Sequence, residues 1–205
     1  MQPAQLDGTR KVIVFALAGW SGFFVMAVEL LSGRVLAPSF GNSIYVWGAV
    51  ITVFMLALAV GYLLGGHFSV HSPSLRHLGA LLIAAGLATL PVVLFGDSAL
   101  DWIFDRVVDP RYGSLLASSL LFFVPTAISG AVSPYAVRLL VSSLQGSGRS
   151  AGSLYFVSTF GSAAGTILTS FYLVLLFEVN AILLGMMAVS VSLGLCAVLC
   201  GGPRR

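Results

Sequence analysis

Few side chains in this sequence can do chemistry, and they are thinly spread. Glu29 and Arg34 stand five positions apart in otherwise apolar surroundings. A carboxylate and a guanidinium so placed can pair, or hold a polar ligand together, where the backbone between them bends. His67, His71 and His77 follow in one short stretch with no acidic residue beside them. Nothing there completes a metal set or an acid–base pair, and a solvated loop explains them. Cys196 and Cys200 lie four apart in an apolar run. Two thiols are too few for a metal site and read as core or lipid-facing residues, with S-acylation as the alternative. Asp97, Asp101, Asp105 and Asp109 recur at every fourth position. Such a stripe either gathers cations or is simply a solvated helix face. No nucleophile–base pair and no phosphate-cradling lysine loop can be assembled, so the sequence predicts no catalytic centre, metal or other cofactor.

The elements that must position these residues are hydrophobic. Of 205 residues, 58% are apolar and only 8% charged, with a mean hydropathy of +1.02. A soluble domain carries about 25% charged residues. A water-soluble fold of this length cannot hide so much apolar surface, whereas a bilayer solvates it. The net charge of +3 forms no patch and does not indicate nucleic acid. The expectation is therefore a single all-α, polytopic membrane domain over residues 1–205, with the lipid bilayer as its first partner.

A membrane-spanning helix needs about 20 apolar residues. Six segments qualify, at about 12–31, 44–64, 78–95, 114–132, 154–177 and 181–199. The first is too long for a signal-peptide core and has no small-residue cleavage site, so it reads as an uncleaved helix. The fourth contains Pro125 and is expected to kink, or to break near Ser129-Gly130. With the N-terminus inside, Arg10, Lys11, Arg76, Arg138, Arg149, Arg204 and Arg205 lie inside and Arg34, Arg106 and Arg111 outside. Seven against three follows the positive-inside pattern and places both termini in the cytoplasm. Leu100, Ile103, Phe104, Val107 and Val108 recur opposite the aspartates, predicting a separate amphipathic helix at about 98–109 in the outer interface, with Trp102 near the headgroups.

Several polar or special residues break the plain hydrophobic pattern. Glu29 is expected about two residues from the outer end of the first helix, facing the bundle interior and within reach of Arg34 or of a bent 35–43 segment. The alternative is that both charges snorkel outward. Pro38 and Gly41 break regular structure between the first two helices, so this segment either re-enters the outer leaflet or forms a plain interfacial turn. Gly61 and Gly65 on helix two, and Ser158, Gly161, Ser162, Gly165 and Thr169 on helix five, favour close helix packing. Ser43-Ile44-Tyr45-Val46 and Ser153-Leu154-Tyr155-Phe156 each follow a Gly-Arg pair, Gly33-Arg34 and Gly148-Arg149. That echo points to a 3+3 inverted repeat, as in many transporters, although a match so short also arises by chance.

Longer motifs carry a family resemblance. The run Glu29-Leu30-Leu31-Ser32-Gly33-Arg34-Val35-Leu36-Ala37-Pro38-Ser39-Phe40-Gly41-Asn42-Ser43, with Trp47-Gly48 and Gly61-Tyr62-Leu63-Leu64-Gly65-Gly66, resembles the membrane region of spermidine-synthase-like (polyamine aminopropyltransferase-like) membrane proteins. So do Ser133-Pro134-Tyr135-Ala136-Val137-Arg138-Leu139-Leu140, Gly148 to Tyr155, and Ser158 to Thr166. The resemblance spans roughly residues 12–180 and implies a transporter-like module, often fused to an aminopropyltransferase-like domain. This sequence has no Gly-rich nucleotide loop after a strand and no acidic pair for a polyamine, so aminopropyltransferase activity is not expected of it. The function expected is the binding or passage of a small molecule, polyamine-related by the resemblance, between two three-helix halves. Glu29 and Arg34 would supply charge, and Pro38, Phe40, Trp47, Tyr62, Tyr135 and Tyr155 would shape the site. A soluble spermidine-synthase-like enzyme is the implied partner, and a bacterial inner membrane the expected location. The rival is a non-transporting anchor that docks such an enzyme, with Arg138 and Arg149 as docking charges.

Overall fold

A computed structural model describes residues 7–70, 73–141 and 146–201. His71, Arg204 and Arg205, used above, lie outside the described residues. Among the described residues, six helices are long and apolar enough to cross a membrane: α1 (Gly8–Phe40), α2 (Ile44–Phe68), α3 (Leu75–Phe104), α4 (Pro110–Leu140), α5 (Ser147–Leu176) and α6 (Val179–Cys200). The described residues contain no strand. The protein is an all-α, multi-pass membrane fold. α1 starts and α6 ends at one face, called the terminal face below; the opposite face is the far face.

The helices run past their predicted ends, for local reasons. Asp7 caps α1, accepting a hydrogen bond from the Gly8 N–H. α1 then continues through Pro38 to Phe40, and only Gly41, with φ +77°, stops it. The expected break at Pro38 is therefore absent. A proline near a helix end removes one hydrogen bond, and its neighbours can still hold the helical path. Pro125 and Pro134 likewise lie inside an uninterrupted α4. The Ser129 hydroxyl donates to the Pro125 carbonyl at 2.9 Å, so no break occurs at Ser129-Gly130.

α3 differs most from expectation. It comprises Leu75–Leu87 and Leu90–Phe104, interrupted at Ala88 and Thr89, where Pro91 cannot supply an N–H to the preceding turn. The Thr89 hydroxyl donates to the Gly86 carbonyl there at 2.7 Å. The 98–109 segment is no separate interfacial helix: residues to Phe104 continue α3, and a turn from Asp105 leads to α4. Part of its apolar stripe is used inside the protein: Leu100 and Ile103 are buried in the core, while Phe104 and Val108 are exposed. Asp109 caps α4, with Pro110 first in the helix. α5 contains a π-helical stretch, Thr169–Leu173.

The packing repeats itself with inverted topology. Gly61 and Gly65 of α2 lie against the backbone of Ala127, Gly130 and Ala131 of α4. Gly161 and Gly165 of α5 lie in the same way against Gly19 and Phe23 of α1. In return, Gly130 meets Leu58, and Gly22 meets Ser158. One set becomes the other on moving 100 positions between α2 and α5 (58→158, 61→161, 65→165) and 108 between α1 and α4 (19→127, 22→130, 23→131). The third pair is closely packed too, with Gly79 of α3 against the Gly194 carbonyl of α6 and Gly194 against that of Gly79. The Ser21 hydroxyl of α1 donates to the Ser129 carbonyl of α4 at 3.1 Å, again 108 positions apart. A pseudo-two-fold axis therefore passes between Ser21 and Ser129. Each half has three spans, so the axis relates antiparallel helices and lies in the membrane plane.

Candidate functional site

The inverted packing leaves α2 and α5 as flanks and α1 and α4 as the floor of a groove. At its far-face end is a cavity of about 210 Å³. Leu30, Gly33, Arg34 and Ala37 of α1 line it with Asn42, Trp47 of α2, and Thr169, Ser170 and Val174 of α5. The Trp47 ring lies against Gly33, where any side chain would collide with it. Its indole N–H donates to Asn42 Oδ1 at 2.6 Å. The Thr169 hydroxyl, where the π-helical stretch begins, is buried without a hydrogen-bond partner among the described residues. Such stretches occur often at functional sites. Towards the other end, Tyr62 of α2 and Tyr155 of α5 are both exposed.

Glu29 precedes Gly33 by one helical turn, on the stripe that meets Trp47 above and Ser158 of α5 below, through Gly22. It is half-buried. No described residue forms an ion pair with it; the ion pair found among them joins Arg111 to Asp109. At 1.5 Å per residue, Glu29 lies about 12 Å along α1 from the Ser21 level, and eleven residues before the helix end. The expectation that it sits two residues from that end is corrected by the continuation of α1. The expected pairing with Arg34 is corrected too. Five residues along a continuous helix turn about 140°, and Arg34 is exposed on the cavity side.

The remaining predicted site residues divide. Arg34 and Trp47 meet in the far-face cavity, while Tyr62 and Tyr155 are exposed outside its lining. Pro38 is an exposed helix residue outside this lining. Phe40 is packing: it is buried, with its ring 6.1 Å from Phe104 edge to face and against Gly113. Tyr135 lies elsewhere, in a second cavity, where its hydroxyl accepts from the Ser74 N–H at 3.1 Å. Arg138 and Arg149 are exposed at the terminal face. Sequence reasoning overlooked Asn42 and gave Thr169 only a packing role. It also overlooked the link between α1 and α6, where the Trp20 indole donates to the Ser190 hydroxyl at 2.8 Å. Such partners are far apart in sequence and leave no local spacing signal.

The electrostatics of the far face are local. The Arg111 guanidinium donates to both Asp109 carboxylate oxygens, Nη2 to Oδ2 at 2.6 Å and Nε to Oδ1 at 3.0 Å, and its backbone N–H donates to Oδ1 at 2.9 Å. These hydrogen bonds hold the Asp109 carboxyl below the usual carboxylate range. Arg106 lies over the Trp102 ring at 4.4 Å. The aspartates thus form a solvated, partly paired edge, and the described residues bring together no group of three or more His, Cys, Asp or Glu side chains. Compared with protein-family models, curated proteins and solved structures, the chain matches none.

Proposed function

We propose that this protein is a transporter-like membrane module that binds a small molecule in the groove between α2 and α5 and passes it between the two faces. The observation that carries this reading is the reciprocal packing of two inverted three-helix halves, with half-buried Glu29 on α1 in no ion pair among the described residues. Inverted repeats place a central site between two alternative closures, and an intramembrane carboxylate without a counter-ion suits a cationic ligand. The sequence resemblance narrows that ligand to a polyamine-like cation and names a spermidine-synthase-like enzyme as the supplier or user of the transported molecule. The absence of a sheet among the described residues supports assigning aminopropyl transfer to such a partner. Basic residues concentrate at the terminal face, which supports placing it in the cytoplasm of a bacterial inner membrane.

The test is uptake of radiolabelled spermidine into proteoliposomes. Wild-type protein is expected to accumulate label above protein-free vesicles, and Glu29→Gln to lose most of that accumulation. Equal uptake by both proteins removes Glu29 from the account. A non-transporting anchor is the second reading. It is favoured by Arg138 and Arg149, which are exposed at the face where a soluble enzyme would dock. Retention of a spermidine-synthase-like enzyme on membranes, lost in the Arg138→Ala/Arg149→Ala double variant and with no flux, would favour it.

A further inference from the structure

A second cavity, of about 490 Å³, lies away from the groove, between α2, α3 and α4. Its size falls within the range of small-molecule sites, about 300–1,000 Å³. Most of its wall is apolar, from Gly65, Phe68, Ala80, Leu81, Ala84 and Ala131; only His77 and Tyr135 are polar. Both polar groups belong to the terminal-face end, where α3 begins. The Tyr135 hydroxyl accepts from the Ser74 N–H, which leaves its own O–H without a described acceptor although the ring is buried. His77 Nδ1 is engaged with the Ser74 hydroxyl at 3.0 Å, which leaves Nε2 without a described partner. Arg138 continues the α4 stripe of Ala131 and Tyr135 by one turn and is exposed. Among the described residues, the one carboxylate side chain at this face is Asp7, on α1, which does not line the cavity.

We infer that this cavity holds one acyl chain of an anionic lipid from the terminal-face leaflet, with Arg138, His77 and Tyr135 at its headgroup. The apolar slot takes the chain, as it opens beside exposed Ala80 and Ala84. The Tyr135 O–H and His77 Nε2 meet ester or phosphate oxygens, and Arg138 supplies the charge. The pseudo-symmetry provides an internal contrast. The equivalent cavity between α1, α5 and α6, about 340 Å³, is lined by residues such as Phe23, Phe177, Ile182 and Met186, with no basic or histidine side chain. Glu178 begins α6 there in place of a cation. Two similar slots thus differ in the chemistry of their mouths, which points to headgroup selection at one and not the other. This site is separate from the groove, so its failure would leave the transport reading untouched.

The test is native mass spectrometry of the full chain released from nanodiscs holding equal amounts of phosphatidylglycerol and phosphatidylcholine. Wild-type protein is expected to retain phosphatidylglycerol about fivefold over phosphatidylcholine, the preference that one basic residue near the surface confers. Arg138→Gln should bring the ratio close to one. Ala80→Leu/Ala84→Leu, which fills the slot from exposed positions, should remove retained lipid of both kinds, while Gly185→Leu in the opposite cavity leaves the preference intact. Melting temperatures in phosphatidylcholine alone verify that each variant folds. No preference in the wild type, or an undiminished preference in the slot-filled variant, would overturn the proposal. Equal competition by free glycerol phosphate would likewise overturn it, because the acyl chain would then contribute nothing.

Discussion

Alanine at Gly61 and at Gly161 should destabilise the protein by similar amounts, because the two positions play one role in two inverted copies. A Cβ on Gly61 would stand 2.9 Å from the Gly130 Cα and closer still to the Ala127 carbonyl oxygen. A Cβ on Gly161 would stand 3.1 Å from the Gly19 Cα and closer still to the Gly19 carbonyl oxygen. The obstructing atoms are backbone, so no rotamer change relieves the clash and the helices must separate. A gap of roughly 0.5–1 Å along such a seam forfeits a quarter to a half of each dispersion contact. Overpacking of this kind costs about 1–3 kcal/mol. Gly66 on α2 and Gly152 on α5 have nothing within 4 Å of a Cβ. Alanine there should be neutral or stabilise by up to about 1 kcal/mol through helix propensity. The assay is reversible unfolding in mixed micelles, read by far-UV circular dichroism, on the four single variants and the Gly61/Gly161 double. The two seams are distinct, so their costs should add within about 0.5 kcal/mol. Stabilities of Gly61→Ala and Gly161→Ala matching those of Gly66→Ala and Gly152→Ala would refute the close-packed inverted seams.

Three further expectations follow from the same geometry. Val108, 94% exposed in the turn before α4, should be labelled as cysteine by an impermeant maleimide added outside intact cells; labelling only after permeabilisation would reverse the orientation. Glu29→Gln should leave the unfolding midpoint nearly unchanged, since no ion pair is lost, and act on function instead; a large drop in stability would reveal a structural role. Asp109 should titrate below the ordinary carboxylate range by NMR and return towards it in Arg111→Ala. Because its folded pKa is depressed, its contribution to stability is present above the unfolded pKa and lost as pH falls through the folded one; an unshifted Asp109 would contradict the pairing.

The membrane class and the six spans were legible because the amount and length of apolar sequence decide them. Helix ends were less so. Pro38 read as a break and Pro125 as a kink or a break, yet both lie within unbroken helices, since neighbouring turns and tertiary packing outweigh one missing hydrogen bond. The aspartate stripe read as an interfacial helix because its apolar face is genuine; only tertiary structure reveals that Leu100 and Ile103 meet the core and not lipid. The inverted repeat was suggested by a misleading echo. Ser43 precedes the first residue of α2, whereas Ser153 lies in the second turn of α5, and the two are 110 positions apart where packing requires 100. The true correspondence is carried by Gly61-x-x-x-Gly65 with Gly161-x-x-x-Gly165, and by Ser21-Gly22 with Ser129-Gly130. Beyond these, Ala27-Val28-Glu29-Leu30-Leu31 matches Ala136-Val137-Arg138-Leu139-Leu140, one position further along. Small residues are common in membrane helices, so these matches gain meaning only once contacts pair them. The site was legible in part for the same reason: Arg34 and Trp47 share a local stretch, while Thr169 joins them from the other half of the chain.

Transport through a groove between inverted halves requires its two ends to open in turn, and this can be measured without knowing the substrate. Spin labels at Tyr62→Cys and Tyr155→Cys report the end nearer the terminal face, and labels at Tyr45→Cys and Ser170→Cys the far end, with Cys196 and Cys200 replaced by serine. Electron–electron double resonance in nanodiscs should show two distances at each end, the population with one end wide matching that with the other end narrow. A single narrow distance at both ends, unchanged by spermidine, would contradict transport and leave a rigid membrane anchor.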